Sequence, residues 1–180
     1  MQNKNIIRPL LITLLILAVP FLAGLFTDQV AWDLGDFVVA GLLLFGAGLA
    51  IEITASRGGA IAYRAAIMMA IATTLLLVWM NLAVGIIGNE NQPINLLYFG
   101  LVAIGLVSAF LVWFRPQKMS YIMFILAVGQ MLVPLIALIF LPQVSWGEAG
   151  VVRIFVLNAF FATSFALSGF LFRQTRKPLN

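Results

Sequence analysis

Six apolar runs, each long enough to cross a lipid bilayer as a helix, constrain this chain more than any other feature. Two of them, residues 37–51 and 65–87, are separated by a short turn that contains Arg57 and a glycine pair. A membrane-spanning helix needs about 20 predominantly apolar residues. Because the turn is short, the two runs are expected to lie side by side, and the centre of the chain predicts a helical hairpin within the membrane.

The composition indicates lipid as the solvent. Of the 180 residues, 63% are hydrophobic and 9% are charged, whereas soluble domains are about half apolar and about a quarter charged. A soluble domain of this size keeps much of its surface in water and could not bury so large an apolar fraction. The sequence therefore predicts an all-α fold, a single integral membrane domain with six transmembrane helices at residues 9–26, 36–55, 62–87, 94–114, 119–141 and 148–172.

The first run follows two basic residues, a pattern that signal peptides share. It is long for the apolar part of a signal peptide, and the residues before Thr27 offer no clean small-x-small cleavage pattern. We therefore interpret it as a retained first span.

The chain contains neither cysteine nor histidine. Disulfides, iron–sulfur clusters, Cys/His zinc sites and the usual histidine-ligated haem are excluded, and so is a Ser-His-Asp site. The remaining polar residues are too few to assign an acid, a base and a nucleophile. We therefore expect no enzyme activity, no metal site and no cofactor.

The basic residues lie at the ends of the apolar runs. Nine of the ten lysines and arginines fall on one side of the predicted bundle, and Arg153 alone falls on the other. Lysine and arginine concentrate in the cytoplasmic loops of membrane proteins, so both ends of the chain are expected in the cytoplasm. The same distribution explains a sequence pI near 10 without a nucleic-acid partner.

Glu52 is the acidic residue on the predicted cytoplasmic side. At helical spacing it shares a face with Gly41 and Gly48, and a stripe of small residues indicates close helix packing. The favoured interpretation is an ion pair between Glu52 and Arg64, with Arg57 in the turn between them. The alternatives are a carboxylate that handles protons or cations and a side chain that extends to the membrane surface.

Three amide side chains fall within apolar runs: Asn81, Gln130 and Asn158. Each shares a helical face with small residues or lies next to one, which favours hydrogen bonds between helices, and a ligand contact is the alternative. Pro134 has no N–H to bond the carbonyl of Gln130, four residues earlier. This predicts a kink with free hydrogen-bonding groups near the middle of the fifth span, as in the broken helices that line transporter sites.

A group of charged residues is predicted at the outer ends of the helices. A charge network that closes this end is favoured over an anion-binding site. Its members are Asp36, Glu90, Glu148 and Arg153.

Three stretches carry a resemblance to a known family. They are WDLGDFVVAGLLLFGAGLAIEI, the pair Tyr63-Arg64, and NLAVGIIGNENQPINLLYFG, which lie between residues 32 and 100. This part of the chain resembles a family of small multi-spanning bacterial membrane proteins without an assigned activity. The resemblance implies a bacterial cytoplasmic (inner) membrane and carries no ligand or catalytic residue.

Two classes of function fit the sequence. The first is a structural or accessory membrane protein that packs in the bilayer with itself or with a larger membrane complex. The alternative is a small transporter or channel in which Glu52, Asn81, Gln130 and Asn158 converge. Three or more of these residues around one hydrated cavity would favour transport, and interhelical hydrogen bonds would favour the accessory role.

Overall fold

The computed structural model describes residues 4–26, 32–56, 60–148 and 150–175. These residues form six α-helices and one short 3₁₀ turn, Pro93–Asn95, and contain no β-strand. All six helices are long and apolar enough to cross a membrane when this turn is counted with the fourth. The prediction of an all-α, multi-pass fold is confirmed. The helices are α1 Lys4–Phe26, α2 Leu34–Ser56, α3 Ile61–Ala83, α4 Leu96–Leu111, α5 Pro116–Phe140 and α6 Gly150–Gln174.

The side chains are distributed as expected for a protein in lipid. Large apolar residues such as Leu15, Phe110 and Phe140 are exposed on the helices, whereas the polar side chains of Gln130 and Asn158 are buried. Soluble proteins rarely expose extensive apolar surface. The exposed apolar surface of these helices therefore contacts the bilayer.

The chain divides into two compact units, Met1–Gly58 and Gly59–Asn180. In the first unit, α1 and α2 pack against each other as an antiparallel pair. A Cβ built on Gly41 would lie 3.4 Å from a Leu17 methyl, and one on Gly48 would lie 3.1 Å from Cβ of Pro9. The glycine stripe of α2 therefore lets the backbone of α1 approach closely.

The start of α2 is capped by two aspartates. The backbone N–H of Asp36 donates to Oδ1 of Asp33 at 2.9 Å, and the N–H of Asp33 donates to Oδ2 of Asp36 at 3.0 Å. This reciprocal arrangement is a capping box, which satisfies two backbone donors at the helix start. Asp36, predicted as part of an outer charge cluster, thus has a local structural role.

In the second unit, α5 packs against both α4 and α6, and α6 also packs against α3. Glycines allow the contact between α4 and α5. A Cβ on Gly105 would lie 2.8 Å from Leu126, and one on Gly129 would lie 2.5 Å from Leu101. Each glycine receives a leucine from the opposite helix, so a larger residue at 105 or 129 would require that leucine side chain to move.

Hydroxyl groups connect helices of the second unit through backbone carbonyls. Oγ of Ser168 donates to the carbonyl of Ala66 at 2.8 Å, and Oγ of Ser120 donates to that of Gly169 at 2.8 Å. Interhelical hydrogen bonds of this kind stabilise membrane bundles by about 0.6 kcal/mol each on average. They fix α6 against α3 on one side and α5 on the other.

The third helix is shorter than predicted. The apolar run extends to residue 87, but α3 ends at Ala83, and Gly85 and Gly88 adopt φ values of +69° and +73°. Ile86 and Ile87 are nevertheless buried, in a loop that folds back on the unit. Hydropathy reports burial in apolar surroundings and does not distinguish a helix from a buried loop, which explains the error.

The fourth helix also differs from its predicted bounds of 94–114. Its α-helical part begins at Leu96, after the 3₁₀ turn, and ends at Leu111. Trp113 and Phe114 both have left-handed backbone angles, with φ of 54° and 55°, and the N–H of Phe114 donates to the carbonyl of Ala109 at 3.1 Å. This left-handed ending lets Pro116 start α5 almost immediately.

Candidate functional site

A buried polar cluster is formed by three side chains, one each from α4, α5 and α6. Oδ1 of Asn158 accepts two hydrogen bonds, one from the Tyr98 hydroxyl at 2.9 Å and one from Nε2 of Gln130 at 3.0 Å. Nδ2 of Asn158 donates to the carbonyl of Ile154, one turn earlier in the same helix, at 2.8 Å. A single carboxamide oxygen thus joins three helices.

The sequence places these groups in the interior because each occupies the buried face of its helix. On α5 this face includes Met123, Ala127, Gln130, Pro134 and Ala137, at spacings of three and four residues. The helix is continuous from Pro116 to Phe140, with Pro134 within it. All three members of the cluster are neutral side chains that donate and accept hydrogen bonds, which suits them to an apolar interior.

One oxygen of the cluster lacks a donor. Gln130 and Asn158 are both 0% exposed, and Oε1 of Gln130 has no hydrogen-bond partner among the described residues. Buried polar atoms are normally paired, with protein groups or with water. Gln130 therefore has one free acceptor next to its bond with Asn158.

Asn81 is separate from this cluster and belongs to a second polar group where α3 ends. Its Nδ2 donates to the carbonyl of Asn95 at 2.9 Å. The side chain of Asn95 then holds the loop: Oδ1 accepts from the N–H of Ile87 at 3.0 Å, and Nδ2 donates to the carbonyls of Ile87 at 3.0 Å and Asn89 at 2.7 Å. The side chains of Asn81 and Asn95 thus hold the loop between α3 and α4 in place through these hydrogen bonds.

A groove of about 280 Å³ lies beside this second group. It is formed by the last turn of α3, the loop up to Pro93 and the first turns of α4. Asn81 contributes to its lining, and Oδ1 of this side chain is buried without a partner in the described part of the chain. The rest of the lining combines one carboxylate, three amides and four apolar side chains: Glu90, Asn91, Gln92, Asn95, Leu82, Pro93, Leu96 and Phe99.

Glu52 has a partner that the sequence analysis did not consider. Oε1 of Glu52 lies 3.7 Å from Nη1 of Arg8, and the two side chains are 24% and 71% exposed. Both residues belong to the first unit, on the face where α1 meets the glycines of α2. The expected pairing with Arg64 joins the two units and stays a prediction, and Arg57 lies outside the described residues.

Three of the predicted outer charged residues lie in the second unit. Glu90, Glu148 and Arg153 are all exposed, and within the described ranges no ion pair joins them. Glu90 instead accepts a hydrogen bond from Nδ2 of Asn91 at 3.3 Å. Asp36 belongs to the other unit, so the network of these four residues stays a prediction.

Of the four intramembrane candidates, the structure brings together Gln130 and Asn158. Sequence reasoning missed Tyr98, Asn95 and Arg8. Tyrosines near the ends of membrane-spanning helices commonly lie at the interface, whereas the Tyr98 hydroxyl turns inward to Asn158. Asn95 could have been found from its place two residues after Pro93 at a helix start, where asparagine often bonds backbone groups.

The chain matches no family model, no curated protein and no solved structure. Conclusions about its function therefore depend on its own residues.

Proposed function

We propose that this protein is a structural or accessory multi-pass protein of the bacterial cytoplasmic membrane, which packs with a second copy of itself or with a larger membrane complex. Both ends of the chain would lie in the cytoplasm. The orientation is supported by the nine-to-one distribution of basic residues. The membrane assignment is supported by six helices that are long and apolar enough to cross a bilayer.

The observation that carries this proposal is the burial of the polar cluster. Gln130 and Asn158 are the amides best placed to line a pathway, yet both are 0% exposed and bonded to each other. A transport pathway requires polar groups that water or substrate can reach. Groups that bond each other between helices act instead to fix the bundle.

Cysteine accessibility tests the proposal, and the absence of native cysteine makes single-cysteine variants straightforward. Asn158→Cys and Gln130→Cys should not react with a small water-soluble thiol reagent in intact membranes, whereas Asn91→Cys, at an exposed position, should react fully. Native mass spectrometry of the full chain in lipid nanodiscs should then show a stoichiometric assembly. Reaction at 130 or 158, together with a monomeric protein, would contradict the proposal.

A small transporter or channel is the second candidate, and one observation favours it. Oε1 of Gln130 is a buried acceptor without a partner, in the helix that contains Pro134. A donor group on a solute would reach this atom only when the surrounding helices separate, as they do in alternating access. In proteoliposomes, Gln130→Leu would abolish a flux that depends on this acceptor, while Gln117→Leu, at an exposed position of the same helix, would preserve it.

A further inference from the structure

We infer that one end of the second unit, the end at which α5 begins, binds the phosphate headgroup of an anionic phospholipid. The inference goes beyond the accessory role proposed above and does not depend on it. It rests on the basic side chains that the fold gathers at this end, on the position of the acids of the unit at the other end, and on exposed aromatic rings beside the cations.

Contacts between helices bring four helix ends together here. The Tyr63 hydroxyl donates to the carbonyl of Phe114 at 3.0 Å, and the rings of Tyr63 and Phe172 lie 5.7 Å apart. Oγ of Ser120 donates to the carbonyl of Gly169 at 2.8 Å. The start of α3, the end of α4, the start of α5 and the end of α6 therefore lie at one end of the unit.

Each of these helix ends contributes a basic side chain. The four residues are all exposed: Arg64, Arg115, Lys118 and Arg173. The acids of the unit, Glu90 and Glu148, lie in the loops at the opposite ends of the helices. In the described part of the unit, no carboxylate lies within 4 Å of the four cations. This end therefore has positive charge without a counter-ion from its own unit, which favours an anionic partner.

Arg173 is held in place by an aromatic ring. Its guanidinium carbon lies 4.6 Å from the centre of the Phe124 ring, which meets the Phe170 ring edge-on at a centroid distance of 5.0 Å. A cation–π contact orients the guanidinium without using its N–H donors in a hydrogen bond. The planar arrangement of these donors matches the oxygens of a phosphate. Arg173 is therefore positioned to bind a phosphate group.

The aromatic surface beside the cations favours a lipid over a soluble anion. Phe170 is 52% exposed, and Trp113 and Tyr121, near the start of α5, are 84% and 55% exposed. Tryptophan and tyrosine concentrate at the level of the headgroups in a bilayer, so the basic side chains next to them are expected at the same level. Basic groups of several helices at this level bind anionic lipid headgroups.

Net charge separates the candidate lipids. Phosphatidylglycerol and phosphatidylcholine both contain a phosphate, but the choline ammonium makes the second headgroup neutral. That ammonium would lie among cations, and the acids that could receive it are at the other end of the unit. The surface should therefore retain phosphatidylglycerol in preference to phosphatidylcholine.

The test uses the full chain in a neutral detergent, with the two lipids added at matched acyl length and retention measured by native mass spectrometry. Phosphatidylglycerol should be retained at least about fivefold more strongly, the ratio expected for one basic side chain near anionic lipid. The ratio should fall as the concentration of ammonium acetate rises, because salt screens exposed charges. Equal retention of the two lipids, or a ratio that does not change with salt, would overturn the inference.

Two arginines of the same helix locate the site. Arg173→Gln should weaken the retention of phosphatidylglycerol about fivefold, whereas Arg153→Gln, at the other end of α6, should leave it unchanged. Arg173→Lys keeps the charge and should weaken retention less than Arg173→Gln does. Equal retention by the two glutamine variants would show that this end is not the site.

Lys118→Gln covers the case in which Arg173→Gln lowers the melting temperature of the lipid-free protein. Lys118 is exposed and forms no ion pair with the described residues, so its substitution should leave the fold intact. It should also weaken the retention of phosphatidylglycerol, and retention equal to that of Arg153→Gln would overturn the inference.

Soluble anions distinguish a lipid from other partners. Glycerol phosphate has the same phosphate without acyl chains, so it should displace phosphatidylglycerol only at concentrations far above those of the lipid. Displacement at equal concentration would overturn the lipid assignment. Capture of a polyglutamate peptide, together with equal retention of the two lipids, would identify an acidic protein segment as the partner instead.

Discussion

Nε2 of Gln130 donates a hydrogen bond to Oδ1 of Asn158 across 3.0 Å, between two helices and out of contact with solvent. The Tyr98 hydroxyl shares the same oxygen. An interior bond of this kind is specific in a way that apolar contacts are not, because the helices meet its distance and angle requirements in one register only. The carboxamide of Asn158 therefore sets the relative positions of α4, α5 and α6.

Asn158→Leu should destabilise the protein. The substitution leaves the Tyr98 hydroxyl and the Gln130 amide without their acceptor. Because two interhelical hydrogen bonds are lost, the free energy of unfolding should fall by about 1–2 kcal/mol. Thermal unfolding in a fixed detergent measures the loss. Ser164→Ala is the matched control, because its hydroxyl bonds only the carbonyl of Phe160 in its own helix. An Asn158→Leu protein as stable as the Ser164→Ala protein would argue against a role for the cluster in fixing the bundle.

Glu52→Gln and Arg8→Gln should show weak coupling. The carboxylate and guanidinium lie 3.7 Å apart, but the arginine is mostly exposed, so a double-mutant cycle should give about 0.2–1 kcal/mol. Substituting Arg64→Gln for Arg8→Gln in the same cycle tests the pairing expected from the sequence. Strong coupling to Arg64 and none to Arg8 would reverse the assignment of Glu52's partner.

Gly85→Ala should disrupt the loop after α3. Gly85 has φ of +69°, and a Cβ at this position would overlap the backbone of Asn89. The left-handed backbone angle and the overlap are both unfavourable for alanine. Together they should lower the free energy of unfolding by at least about 2 kcal/mol. Gly100→Ala is the control, since a Cβ there meets nothing within 4 Å and lies within α4. The control should be neutral or more stable by up to about 1 kcal/mol. Equal melting temperatures for the two variants would contradict this geometry.

Single cysteines at two exposed loop positions should report the orientation. Asn91→Cys should react with a membrane-impermeant maleimide in intact cells, and Gln117→Cys should react only after the membrane is opened. The expectation follows from the basic residues on the side of Gln117 and their scarcity on the side of Asn91. The opposite labelling pattern would place both ends of the chain outside the cytoplasm.

The sequence by itself determined that the protein lies in lipid, that its fold is all-α and that it has six membrane-spanning helices. These properties depend on the length and hydropathy of each run, which are local, and six runs correspond to six helices. Local composition also indicated the glycine stripe of α2, where Gly41 and Gly48 do receive α1. Such features are predictable because each requires only one segment and its periodicity.

The tertiary structure decided which polar groups meet. Tyr98 and Asn158 are 60 residues apart in sequence, yet their side chains form a hydrogen bond. Likewise, α3 ends at Ala83. The N–H of Ile87, which lies in the loop after this helix, donates to the side chain of Asn95 at the far end of the same loop. Hydropathy gives equal weight to a residue in a helix and one in a buried turn. A hydrogen bond between distant residues, by contrast, is fixed by the packing of whole helices, and only that packing places Gln130 and Asn158 together.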